Sequence, residues 1–130
     1  MGRKTRVLLA DSSTFTRIVL SNALEAIGFE IVAIAKDGRE ALDMFTEQRP
    51  DIAMIDLELK VVDCVDVIRA LTRENPSAAI ALLIPEGKDD PEVIVEAVRA
   101  GAKAYIKKPT SGEDIKRRLA NMLKRGEEEK

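Results

Sequence analysis

Three polar residues sit where the surrounding chain is apolar, and each is placed to do chemistry. Asp56 stands near the end of Ile52-Ala53-Met54-Ile55-Asp56-Leu57, a run with no other polar side chain. Asp11 follows Val7-Leu8-Leu9-Ala10 and opens Asp11-Ser12-Ser13. Lys108 follows Ala104-Tyr105-Ile106-Lys107 and precedes Pro109. A carboxylate in apolar surroundings is costly unless it is ion-paired, hydrogen-bonded or bound to a metal. Two acids and a lysine brought together would meet that requirement. Taken singly, each has a plainer reading: Asp11 as a cap of the first helix, Asp56 as the start of a turn, Lys108 as a solvated surface lysine. Asp63 reads as a helix cap in any case.

The elements that would carry these residues alternate five times along the chain. The runs Val7–Ala10, Ile31–Ala35, Ile52–Leu57, Ile80–Ile84 and Ala104–Ile106 are near-continuously apolar, as strands buried on both faces of a parallel sheet are. Between and after them lie amphipathic stretches at helical spacing. Thr14–Ile27 carries Phe15, Ile18, Val19, Ala23, Ala26 and Ile27. The others are Arg39–Gln48, Val65–Arg73, Val93–Ala100 and Ile115–Lys124. Helix-start signals recur at Asp37-Gly38-Arg39-Glu40, at Asp63 with Asp66, and at Asp90-Pro91. Gly28 and Gly101 stand where helices should end. Right-handed crossovers of this kind build a doubly wound α/β sheet, whose functional crevice lies beyond the carboxyl ends of the strands. Asp11, Asp56 and Lys108 all fall at such ends.

Composition removes many alternatives. A chain of 130 residues, 45% apolar and 34% charged, suits one compact domain, expected over residues 1–125 with a frayed tail at 126–130. No histidine is present, which excludes Ser-His-Asp and Cys-His dyads and histidine zinc centres. The single cysteine, Cys64, excludes an internal disulfide and a CxxC pair. A net charge of −2 and 3% aromatics give no platform for nucleic acid and no general attraction to anionic membranes. The short N-terminal apolar run is neither a signal peptide nor a span, so an intracellular, cytoplasmic domain is expected.

Three segments together resemble the signatures of response-regulator receiver domains, as in the chemotaxis regulators. They are Val7-Leu8-Leu9-Ala10-Asp11-Ser12-Ser13, Ile55-Asp56-Leu57-Glu58-Leu59-Lys60-Val61-Val62-Asp63 and Tyr105-Ile106-Lys107-Lys108-Pro109. The likeness covers about residues 5–124 and takes in Asp37–Leu42 and Ala100–Tyr105. It implies a flavodoxin-like sheet of order 2-1-3-4-5 with five helices. It implies that Asp56 accepts a phosphoryl group from a sensor histidine kinase or phosphotransfer protein in a two-component system. Mg²⁺ would be held by Asp11, Asp56 and the backbone carbonyl of Glu58. Lys108 would pair with Asp56 or the phosphoryl group, ahead of a cis Pro109, and Tyr105 would be the aromatic that reorients. An output domain or target protein would read the state; the chain itself would be no enzyme. A phosphatase of the haloacid dehalogenase type fits poorly, since Asp56-Leu57-Glu58 follows the third strand, not the first.

This chain departs from the family pattern at the site. Ser12 replaces the second acid, which implies weakened Mg²⁺ binding. Ile84 stands at the usual Thr/Ser switch position and cannot donate a hydrogen bond; Pro85 follows it and has no N–H. The loop after Asp56 reads Leu59-Lys60 and Asp63-Cys64 where Met-Pro and Asp-Gly are usual. The Glu58 side chain is a candidate substitute for the missing acid. A second functional reading therefore stands beside the first: a pseudo-receiver that binds partners without phosphorylation.

Overall fold

A computed structural model describes residues 3–128, with side chains through position 122. The elements are β1 (Arg6–Ala10), α1 (Thr14–Ala26), β2 (Glu30–Ala35), α2 (Gly38–Gln48), β3 (Ile52–Asp56), α3 (Cys64–Glu74), β4 (Ala79–Ile84), α4 (Pro91–Ala100), β5 (Ala104–Lys107) and α5 (Gly112–Glu128). The strands form one sheet in the order β2-β1-β3-β4-β5, every neighbouring pair parallel. This is the expected doubly wound α/β architecture. Helix α5 continues through residues 126–128, part of the segment expected to fray; positions 129 and 130 lie outside the described residues.

Side-chain hydrogen bonds start the helices where the sequence signals placed them. The Asp37 carboxylate accepts from the Glu40 N–H at 2.9 Å, while the Glu40 carboxylate accepts from the Lys36 N–H at 3.0 Å. Asp63 accepts from the Val65 N–H and Asp90 from the Glu92 N–H. Each such cap contributes about 1 kcal/mol by satisfying a donor that the helix leaves unpaired.

Strand alternation divides the apolar side chains between two cores. Leu8, Ala10, Ala53, Ile55, Ile80, Leu82 and Ile84 pack with Phe45, Val67, Ile68, Leu71 and Ala97 of α2, α3 and α4. Val7, Leu9, Ile52, Met54, Ala81, Leu83 and Ile106 pack with Leu20, Leu24, Ile115, Leu119 and Met122 of α1 and α5. Burying each large side chain contributes about 1.5–3 kcal/mol, so the sheet is anchored on both faces.

One face differs from the sequence expectation. Phe15, Ile18 and Val19, read as apolar positions of an amphipathic helix, point outward on α1, with Phe15 76% exposed. The buried positions of that helix are Leu20, Ser21 and Leu24. Helical spacing identifies a stripe but not which of two apolar stripes meets the sheet.

The loop after β3 is braced by α2. Gly38 donates its N–H to the Lys60 carbonyl at 2.9 Å. A Cβ at this position would lie 2.3 Å from the Val62 carbonyl oxygen and 2.8 Å from Val62 Cβ. Because the first obstacle is backbone, Gly38→Ala must displace the loop that follows Asp56. We predict a loss of about 1–3 kcal/mol in denaturant unfolding; a variant as stable as wild type would show the loop to be free to move.

Candidate functional site

Sheet register brings the two acids side by side. Ala10 pairs with Ile55, so the next residues, Asp11 and Asp56, emerge together from adjacent strands. Ile84 pairs with Lys107, and the Lys108 N–H donates to the Ile84 carbonyl at 2.8 Å. That bond carries the β4–β5 pairing one residue further, and the Lys108 side chain reaches back across the strand ends to Asp11. The Lys108–Pro109 peptide is cis, as the resemblance implied.

Lys108 Nζ lies 2.7 Å from Asp11 Oδ2 and 3.6 Å from Asp56 Oδ1. Both carboxyl groups are buried, at 0% and 1% exposure. Asp11 is held by short bonds: its other oxygen accepts from the Ser13 N–H at 2.9 Å. Arg17 donates to the Asp11 backbone carbonyl at 2.7 Å. Capping of α1 falls to Ser13, whose hydroxyl accepts from the Thr16 N–H, so Asp11 is left for the cluster. Asp56 is held by longer bonds. Its Oδ1 accepts from the Glu58 N–H at 3.3 Å. Its Oδ2 accepts from both the N–H and the hydroxyl of Ser12, at 3.3 and 3.2 Å. N–H···O bonds cluster near 2.9–3.0 Å and weaken beyond that. Asp56 is thus oriented but lightly restrained.

The pair carries one negative charge net of Lys108. Burial, partly offset by the bond from Lys108, raises the Asp11 pKa above its ordinary value. Burial also pushes the Cys64 thiol up to about 12, so it is an inert core residue at neutral pH.

The acids open into a cleft of about 330 Å³, also lined by Ser12, Phe15, Val19, Glu58, Pro85 and Glu86. Hard oxygen donors are available there for a small dication. Asp11 accepts two hydrogen bonds and keeps lone pairs to spare, and Asp56 and the Glu58 carbonyl stand beside it. Mg²⁺ commonly takes one or two carboxylates and keeps several waters, so this donor set fits it. Among the described residues no group of three acidic, cysteine or histidine ligands is assembled. The Glu58 side chain pairs with Lys88 at 4.0 Å.

Two of the expected site residues do not join the cluster through their side chains. Ile84 is fully buried in the α2–α4 core and contributes only its carbonyl. Tyr105 is 42% exposed and lines a separate cleft with Val98, Lys103 and Arg118. Sequence reasoning missed the double contact of Ser12 with Asp56; the only signal was a small hydroxyl residue beside a strand-end acid. It also missed Val61, which adopts a left-handed φ of 72° in the loop after Asp56. A β-branched residue there costs roughly 1–2 kcal/mol.

Fold and cluster together define a class of proteins that present acids at the carboxyl edge of a doubly wound sheet. Comparison with known families is specific: the response regulator receiver domain model matches residues 7–120. The chain belongs to the response regulator receiver domain family. It is 33% identical over 109 residues to the chemotaxis protein CheY of Thermotoga maritima, covering 84% of this chain and 88% of that protein. It is 36% identical over 107 residues to protein-glutamate methylesterase/protein-glutamine glutaminase 5 of Myxococcus xanthus. That match spans 82% of this chain but 30% of the relative, whose named activity is a property of the longer protein. A receiver domain structure from Methanospirillum hungatei superposes with a TM-score of 0.89 at 24% identity, over 98% of this chain and all of the other, a likeness of fold. The chain is a receiver domain of two-component signalling. Among the described residues no helix is long and apolar enough to cross a membrane.

Proposed function

We propose that Asp56 is the phosphoryl acceptor of this receiver, loaded by the phosphohistidine of a sensor histidine kinase or phosphotransfer protein. The observation that carries this reading is the geometry of Asp56 itself. It is a buried carboxylate at the base of an open cleft, restrained by long hydrogen bonds, with an ammonium group 3.6 Å away. One Asp56 oxygen attacks phosphorus in line, the phosphorus–nitrogen bond breaks, and the imidazole leaves with the electron pair. No proton need pass through Asp56. Lys108 is placed to neutralise charge on the equatorial oxygens while its bond to Asp11 keeps it fixed. Mg²⁺, when held by Asp11, Asp56 and the Glu58 carbonyl, supplies further positive charge. Ser12 in place of a second acid makes that binding weak. The exposed stripe of Phe15, Ile18 and Val19 adjoins the cleft and offers the donor protein an apolar seat. An output domain or target protein then reads the loaded state.

A second reading is favoured by the β4 end. Ile84 and Pro85 put no donor side chain and no N–H between the cleft and Tyr105, which suits an interaction module indifferent to phosphorylation. Incubation with acetyl phosphate and Mg²⁺, followed by intact mass measurement, separates the two. The acceptor reading expects one added phosphoryl group in wild type and none in Asp56→Asn. An unchanged wild-type mass decides for the interaction module.

A further inference from the structure

We infer that Ser12 holds the phosphoryl group once Asp56 carries it, its hydroxyl and amide supplying two hydrogen bonds that Ile84 and Pro85 cannot. The inference rests on Asp56 being the acceptor. The two contacts absent from the β4 side are a side-chain hydroxyl and a backbone N–H, since Ile84 is apolar and buried and Pro85 has no amide hydrogen. The same two kinds of donor appear on the opposite side of Asp56, both from one residue. The Ser12 hydroxyl lies 3.2 Å and its N–H 3.3 Å from Asp56 Oδ2.

In the unloaded chain these donors serve the Asp56 carboxylate. Phosphoryl transfer turns that carboxylate into an acyl phosphate, removing its charge and placing charge on the phosphoryl oxygens. The better acceptors are then those oxygens, and hydrogen bonds to charged acceptors are the stronger kind. A hydroxyl can rotate to follow the charge, as a carboxylate in the same place could not. Lys108, on the Oδ1 side, and Ser12, on the Oδ2 side, would then flank the group. Replacement of the second acid thus exchanges a metal ligand for a phosphoryl ligand.

The test uses the full chain and beryllofluoride, a tetrahedral mimic of the phosphoryl group, at Mg²⁺ saturating for each protein. Ser12→Ala should bind beryllofluoride about tenfold more weakly or worse, equivalent to about 1.4 kcal/mol. Its phospho-Asp56 should decay correspondingly faster. Ser12→Thr, which keeps the hydroxyl, should retain wild-type affinity. Ser12→Thr keeps the hydroxyl and should melt with the wild type, while Ser12→Ala gives up the 3.2 Å bond to the buried Asp56 carboxylate and should melt somewhat lower yet stay folded at the temperature of the titrations. Mg²⁺ affinity, titrated separately without the mimic, should be the same in Ser12→Ala and wild type.

Wild-type beryllofluoride affinity in Ser12→Ala would overturn the inference. So would failure of Ser12→Thr to rescue, or a loss of Mg²⁺ affinity that accounts for the whole effect. If wild type gains no phosphoryl mass, the acceptor reading falls and takes this inference with it. If wild type is phosphorylated and Ser12→Ala matches it throughout, the role of Ser12 alone is lost.

Discussion

A Ser12→Asp variant is expected to bind Mg²⁺ at least about tenfold more tightly than the wild-type chain. Its carboxylate would stand beside Asp56, where the Ser12 hydroxyl now lies 3.2 Å from Oδ2. A carboxylate about 4 Å from a dication is worth roughly 8 kcal/mol gross at an effective dielectric of about 20. Desolvation offsets most of this, yet about 1.4 kcal/mol surviving is already the tenfold effect. The gain should come with a cost. Asp11, Asp56 and Lys108 already leave one uncompensated negative charge, and a third acid makes two. The metal-free variant should therefore melt below wild type and be rescued by Mg²⁺ more strongly. Calorimetric titration and melting with and without Mg²⁺ measure both effects. Equal affinities in the two proteins would place the metal away from these acids.

The second large effect concerns Asp11 and pH. Burial is the main cause of its raised pKa, so the folded chain holds the proton to higher pH than the unfolded chain does. Between the ordinary value of 3.8 and the folded value, the folded state binds more protons. Stability from this group is complete below 3.8 and falls as pH rises through the folded pKa. Asp11→Asn removes the dependence and keeps one oxygen, which can accept from the Ser13 N–H or from Lys108 but not from both, since these now bond to different carboxylate oxygens. It also leaves Lys108 matched to Asp56 alone, one charge to one. In metal-free buffer the variant should gain stability relative to wild type as pH rises from 3.8 toward neutral. Chemical denaturation across that range tests the sign; a variant that loses stability relative to wild type as pH rises would show the Asp11–Lys108 bond to outweigh the burial of the acid.

Much of this arrangement was legible in the residues. Apolar runs such as Ile80–Ile84 mark strands buried on both faces, and Asp37, Asp63 and Asp90 start helices as their positions announce. The convergence of Asp11, Asp56 and Lys108 followed from their places at strand ends, because parallel strands deliver their carboxyl ends to one edge. Strand order came from the family likeness, since periodicity carries no information about which strand neighbours which.

What escaped notice depended on distances of an ångström or so. No pattern distinguishes a lysine that sits closer to Asp11, at 2.7 Å, from one closer to Asp56, at 3.6 Å. Nor does composition reveal that Gly38 is wedged against Val62, or that Val61 is left-handed. The outward face of α1 was misjudged because Phe15, Ile18 and Val19 are as apolar as the Leu20 and Leu24 that meet the sheet.

That misjudged face has a kinetic corollary. Phe15 and Val19 belong at once to the solvent-facing stripe and to the wall of the cleft. A macromolecule resting on the stripe would cover one wall of the cleft and, on the acceptor reading, hinder the approach of bulk water and small phosphodonors from that side. If Asp56 is the acceptor, its acyl phosphate would then last longer with such a visitor bound, and loading by acetyl phosphate would slow in its presence.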